Sequence, residues 1–219
     1  MCCHLRIVLV VTSVLWLCAT TNINAQQSEN LLDTPIERFS VVNLDITTSL
    51  SKLSAVSKIP IGLEIKFIGA NAKSPKLNIE IESSTLGEIL ARIVIQDPDY
   101  EWKINDGVVN VRPRTSKDDI LDTLISTFSF RNGTVYELRT ALTKIPEIEK
   151  KAKKSNLSFI TIALTSAEFK LVNKDFAIEL KDVPLQHLLN RIISNAAFNF
   201  WVVSRVGDNG EYLVINFWN

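Results

Sequence analysis

Leu77-Asn-Ile-Glu-Ile81 opens a stretch that runs to Arg112, and the chain writes that stretch twice. At an offset of 99 residues it falls on Phe176-Ala-Ile-Glu-Leu180. Leu86, Ile89, Leu90 and Ile93 then fall on Leu185, Leu188, Leu189 and Ile192, and Trp102 falls on Trp201. A long-period repeat decides the fold before any local reading does. Leu77, Ile79 and Ile81 alternate with polar residues, as a half-buried strand requires. Leu86, Ile89, Leu90 and Ile93 follow helical spacing and make one apolar stripe. Thr85-Leu-Gly-Glu88 has the form of a capping box, and Pro184 occupies the same position in the copy. Tyr100, Trp102 and Ile104 alternate again. Asp106-Gly107 is a two-residue hairpin signal, and Val109 and Val111 resume the alternation. The second copy turns through the longer Gly207-Asp-Asn-Gly210.

The lead-in repeats at an offset of 89: Ile36, Phe39, Ser40 and Asn43 match Ile125, Phe128, Ser129 and Asn132. Asp45 can cap a helix whose apolar residues are Ile46, Leu50 and Leu53. Thr134-Val-Tyr-Glu137 is a second capping box, ahead of Leu138, Leu142 and Ile145. A strand is expected near Phe39 and another from Leu63 to Phe67. The change of offset implies a ten-residue net insertion in the second copy. Pro146 ends or kinks the preceding helix. Glu147-Ile-Glu-Lys-Lys-Ala-Lys-Lys154 suits a short helix aligned with its dipole, and Leu157 to Leu164 reads as a strand.

With 219 residues, one or two domains are possible, and the repeat decides for two. The expected division is a leader at 1–25, a first domain at 32–113, a linker at 114–119 and a second domain at 120–219, which carries an inserted segment at 146–172. Lys and Arg total 24, as do Asp and Glu, so no charge excess points to nucleic acid or an anionic membrane. The apolar run Ile7 to Ala19 after Arg6 reads as a secretory leader cut after Ala25, and is too short for an ordinary span. No transmembrane span is expected beyond it. Lipoprotein anchoring at Cys18 is disfavoured by bulky Leu17. Cys2, Cys3 and Cys18 all lie in that leader, which leaves no disulfide framework and no thiolate metal site. The expected location is periplasmic or secreted.

Each unit resembles the secretin and TonB short N-terminal (STN) domain, a small periplasmic domain. The resemblance rests on an apolar strand, a capped helix, two strands, the signatures Leu86-Gly-Glu-Ile-Leu90 and Pro184-Leu-Gln-His-Leu-Leu189, and a closing hairpin. It implies an α+β fold of two tandem βαββαββ modules, each with two helices packed between small mixed sheets. It also implies the habit of binding another envelope protein, and it brings no catalytic residues. No receptor plug, barrel or secretin pore follows in this chain.

The residues themselves supply no catalytic, cofactor or metal motif. His187, the one histidine outside the leader, lies on the polar side of its helix without local partners. Lys150, Lys151, Lys153 and Lys154 suit carbonyls and water at a helix end better than a phosphate-rich membrane surface. In the second hairpin Trp201, Val203, Leu213, Ile215 and Phe217 should face the core. The alternate face is then apolar too: Phe200, Val202, Tyr212, Val214 and Trp218. In the first hairpin the same face carries Glu101, Lys103, Asn110 and Arg112 and should be wet. A large apolar sheet face is rarely left in water. It is either a docking face for another envelope protein or a second copy, or it is covered by the insert or the first unit. The expectation is a non-catalytic protein–protein interaction module. The alternatives are a glycan or peptide recognition module and an enzyme with an unrecognised site.

Overall fold

The computed structural model describes residues 31–67, 74–115, 120–160, 176–196 and 198–218. The expected leader and most of the linker lie outside these residues. So does the expected strand beyond Ile160.

The fold is α+β. The first repeat runs β1 (Pro35–Leu44), α1 (Ile46–Ser57), β2 (Ile61–Glu64), β3 (Leu77–Thr85), α2 (Leu86–Gln96), β4 (Tyr100–Asn105) and β5 (Val108–Pro113). The second runs β6 (Leu124–Arg131), α3 (Val135–Thr143), α4 (Pro146–Lys154), β7 (Ser158–Phe159), β8 (Ala177–Pro184), α5 (Leu185–Asn195), β9 (Phe200–Val206) and β10 (Tyr212–Trp218). The order is βαββαββ twice, with α4 inserted. The strand expected from Leu63 to Phe67 starts earlier and ends at Glu64.

Local chemistry sets the helix ends. The Asp45 carboxylate accepts from Thr48 N at 2.8 Å. Thr85 with Glu88, and Thr134 with Glu137, form complete capping boxes. Pro146 takes a first-turn position of α4, where its missing N–H costs nothing.

The repeat extends to backbone register. Strands β1 and β3 pair antiparallel with Phe39 opposite Ile81, and β6 and β8 pair with Phe128 opposite Leu180. Leu86 N donates to Thr34 O at 3.0 Å, as Leu185 N does to Thr123 O at 2.9 Å. Left-handed backbone recurs at matching positions, Asn43 with Asn132 and Ser83 with Asp182. Such conformations are uncommon outside glycine, so their recurrence marks one module built twice.

The two modules share one sheet of order β4-β5-β2-β9-β10-β7. Its midline is the parallel pair β2 and β9, with Ile61 opposite Phe200 and Gly62 opposite Trp201. Successive strand residues point to opposite faces. Phe200 and Val202 join the apolar cluster of α1 and α2, whereas Trp201 and Val203 join that of α3 and α5. The two cores therefore lie on opposite faces of the shared sheet. The ribbon β1–β3 covers the first pair of helices and β6–β8 covers the second.

This arrangement corrects the expected docking face. Phe200, Val202 and Val214 are buried. Phe200 and Val202 serve as core for the first module, because β9 has joined that module's sheet. Only Tyr212 and Trp218, 38% and 39% exposed, keep solvent contact, and Trp218 also lies 5.6 Å from the Phe200 ring. The expected wet face of the first hairpin is corrected in part. Glu101 and Lys103 are accessible, but Asn110 is buried and Arg112 is half-covered by the second module.

Candidate functional site

The outer face of hairpin β4–β5 and the first turns of α5 enclose a polar groove of about 600 Å³. It exists because the second module is displaced along the shared sheet. The helices of that module cover β9 and β10, and the apolar cluster they build takes in Val108 of β5. The alternate face of β4 and β5 is left as one wall.

Arg112 ties the two walls together. Its Nε donates to Glu64 Oε2 at 2.9 Å, and its Nη1 and Nη2 donate to the Asp122 carboxylate at 2.8 and 3.2 Å. Nη1 also reaches Gln186 Oε1 at 3.2 Å. Burial works against the Arg112 charge, but Asp122 and Glu64 raise its pKa above the ordinary arginine value. A planar guanidinium can serve three acceptors at once, which an ammonium cannot do with the same geometry.

At the other end, the Asp106-Gly107 turn of the first module docks on α5. Both residues have positive φ, 57° and 73°, as a type I′ turn requires. Asp106 Oδ2 lies 2.9 Å from His187 Nδ1. The fully buried Asn190 accepts from Trp201 Nε1 at 2.9 Å through Oδ1. Its Nδ2 donates to Asn105 O at 3.3 Å. His187 thus has a partner, contrary to the expectation from its local sequence, because a turn 81 residues away is brought to it.

Lys103 and Arg114 both approach Glu101, at 3.3 and 3.8 Å. The Lys103 side chain is 73% exposed. Asn110 lies at the groove floor, where its Nδ2 donates to Val108 O at 2.9 Å. Among the described residues the lining includes no serine, threonine, tyrosine or cysteine. Among the described residues no three His, Cys, Asp or Glu side chains converge as a metal site would need. The groove can hold an extended polar ligand. The His187–Asp106 pair faces it.

The outer edge of β4 runs along the groove. Strand β4 pairs with β5 and, among the described residues, with no other strand. Asn105 opposite Val108 closes the two-residue turn, so alternation leaves the main-chain groups of Trp102 and Ile104 pointing away from β5.

The sequence-expected residues are thus divided. Tyr212 and Trp218 sit at opposite ends of β10, remote from the groove lining. On α4, Lys150, Lys153 and Lys154 are exposed, and Lys153 lies 3.8 Å from Glu149. Nothing in the local sequence marks Arg112, Asp122 or Asn190 as a joint residue. Only Gly62 carried a signal, since a lone glycine in an apolar strand marks a close backbone approach.

No protein-family model, curated protein or solved structure matches this chain. No helix among the described residues is long and apolar enough to cross a membrane.

Proposed function

We propose that this chain is a non-catalytic protein-docking module of the bacterial cell envelope, exported by a leader cleaved after Ala25, with two repeats that resemble STN domains. The observation that carries this reading is the outer edge of β4 beside the groove, which no other strand among the described residues occupies. Most of the apolar face of the second hairpin is used inside the chain, and the edge remains as a docking element. An exposed edge can bind a partner by strand addition, with main-chain hydrogen bonds supplying affinity and flanking side chains supplying specificity.

The test is chemical cross-linking of the chain from Gln26 onward in envelope extract, beside Lys103→Glu. Lys103 is exposed, so the variant should fold normally, as circular dichroism would verify. The expected result is a discrete cross-linked species for the parent chain that the variant loses. Absence of any such species from both would reject the reading.

The groove supports a second reading, recognition of a peptide or glycan by its convergent polar groups. A catalytic reading would have to use His187 and Asp106. Neither requires a second protein.

A further inference from the structure

We propose that the β4 edge takes up an extended segment of a different protein, running parallel to β4. That segment places glycine opposite Trp102, an acidic residue opposite Lys103 and an aliphatic residue opposite Ile104. The proposal deepens the docking reading and rests on it.

The chain contains its own template for this joint. Strand β9 is the repeat counterpart of β4, and β2 lies against its outer edge in parallel. Ile61 N donates to Asn199 O at 2.9 Å and Ile65 N to Val203 O at 2.8 Å. Their counterparts on β4, through the repeat, are the outward groups of the alternate residues that end at Ile104. Trp201 leans across β2, and a Cβ on Gly62 would stand 2.1 Å from its Cε2. With that strand in place Trp201 is fully buried, whereas Trp102 beside its open edge is not. A glycine opposite Trp102 would let a strand close over the indole in the same way.

The flanking positions differ between the joints, and the difference specifies the occupant. Leu63 lies opposite Val202, whose counterpart on β4 is Lys103. An apolar pair is thus replaced by a lysine, which calls for an acidic cross-strand partner. Glu101 is already approached by Lys103 and Arg114, so the edge presents a net cationic surface. Ile104 packs against the apolar cluster of the first module and favours an aliphatic neighbour.

A second copy does not fit this description. The segment that begins with β7 is the counterpart of β2, and Leu157 to Leu164 contains no glycine. Ser158 and Phe159 also pair with Tyr212 and Leu213, nearer the hairpin turn than the Val109–Val111 stretch that β2 joins.

The experiment titrates the chain from Gln26 with a fluorescent peptide centred on Thr-Gly-Glu-Val, followed by anisotropy and by amide hydrogen exchange. Three changes are compared: valine for the peptide glycine, lysine for the peptide glutamate, and Lys103→Glu in the protein. The expected result is binding that weakens about tenfold with valine. Lys103→Glu should cost about as much and regain it with the lysine peptide. The Trp102 and Ile104 amides should exchange more slowly in the complex. Equal binding of the valine peptide would overturn the proposal. So would protection located on β10, no binding at millimolar peptide, or self-association that Lys103→Glu abolishes. If the peptides fail while parent and variant cross-link the same envelope protein, strand addition falls and docking stands. If neither cross-links anything, both fall.

Discussion

Gly62 on β2 lies opposite Trp201 on β9 and packs against its indole across the joint between the two modules. The indole lies so near Gly62 that a Cβ would meet Cε2, Cζ2 and Nε1 at 2.1, 2.2 and 2.5 Å. The same indole is fully buried and donates to Asn190 Oδ1 at 2.9 Å, which limits how far it can yield.

Gly62→Ala should therefore destabilise the chain by roughly 1–3 kcal/mol, the range for an added carbon in a packed interior. Urea unfolding measures it. Trp201→Leu also destabilises, by opening a cavity, but adding Gly62→Ala to it should cost much less than in the parent. Full additivity in that double-mutant cycle would show that the two residues do not oppose each other.

Arg112→Ala should cost about 2–3 kcal/mol, because the guanidinium serves two carboxylates and an amide, and Glu64 is buried. Arg112→Lys should recover only part of this, since lysine cannot fork. Equal stability of Arg112→Lys and the parent in denaturant titration would reduce the clamp to simple charge.

Alkali should weaken the fold through Tyr100. Burial pushes its phenol up to about 12, and Asp97, Asp99 and Glu64 add to the effect against the hydrogen bond from Lys66 N. Below the ordinary tyrosine pKa of about 10, both folded and unfolded chains keep the proton. Between there and about 12 the unfolded chain releases it while the folded chain retains it, so stability falls as pH rises. Phenolate absorbance should show Tyr100 titrating late, and Tyr100→Phe should flatten the loss of stability.

Asp97→Asn should stabilise the chain at neutral pH. Asp97 caps the C-terminal end of α2, is buried, and has an Oδ1 without a hydrogen-bond partner among the described residues. Burial raises its pKa, as does the nearby Asp99 charge. The folded chain thus loses stability as pH rises through the raised pKa, and the amide does not. A gain of roughly 0.3–1 kcal/mol is the usual scale for a charge at a helix end. Thermal melts should show the gap closing in acid, where the carboxyl is protonated.

Much of this was legible in the residues, because it depends on neighbours in sequence. The caps at Asp45, Thr85 and Thr134, the Asp106-Gly107 turn and the stripe through Leu86 and Ile93 all stand where local chemistry puts them. The inward set Trp201, Val203, Leu213, Ile215 and Phe217 also lies in the second core. The residues alone do not decide whether insert, first module or partner covers the opposite face. Alternation says that Phe200 and Val202 face away from Trp201, but not that α1 and α2 lie there. That outcome depends on β2 pairing with β9, a contact between distant parts of the chain. The groove was hidden for the same reason: Arg112, Asp122 and His187 with Asp106 meet only once the sheets have merged.

Because β2 takes its outer neighbour from the other repeat, the N-terminal half emerges from the ribosome with one strand edge unmatched. Ile61 N waits for Asn199 O, and the hollow at Gly62 waits for an indole made near the end of the chain. A molecule interrupted anywhere before Trp201 carries an uncapped edge, which makes early termination products natural clients for chaperones and proteases.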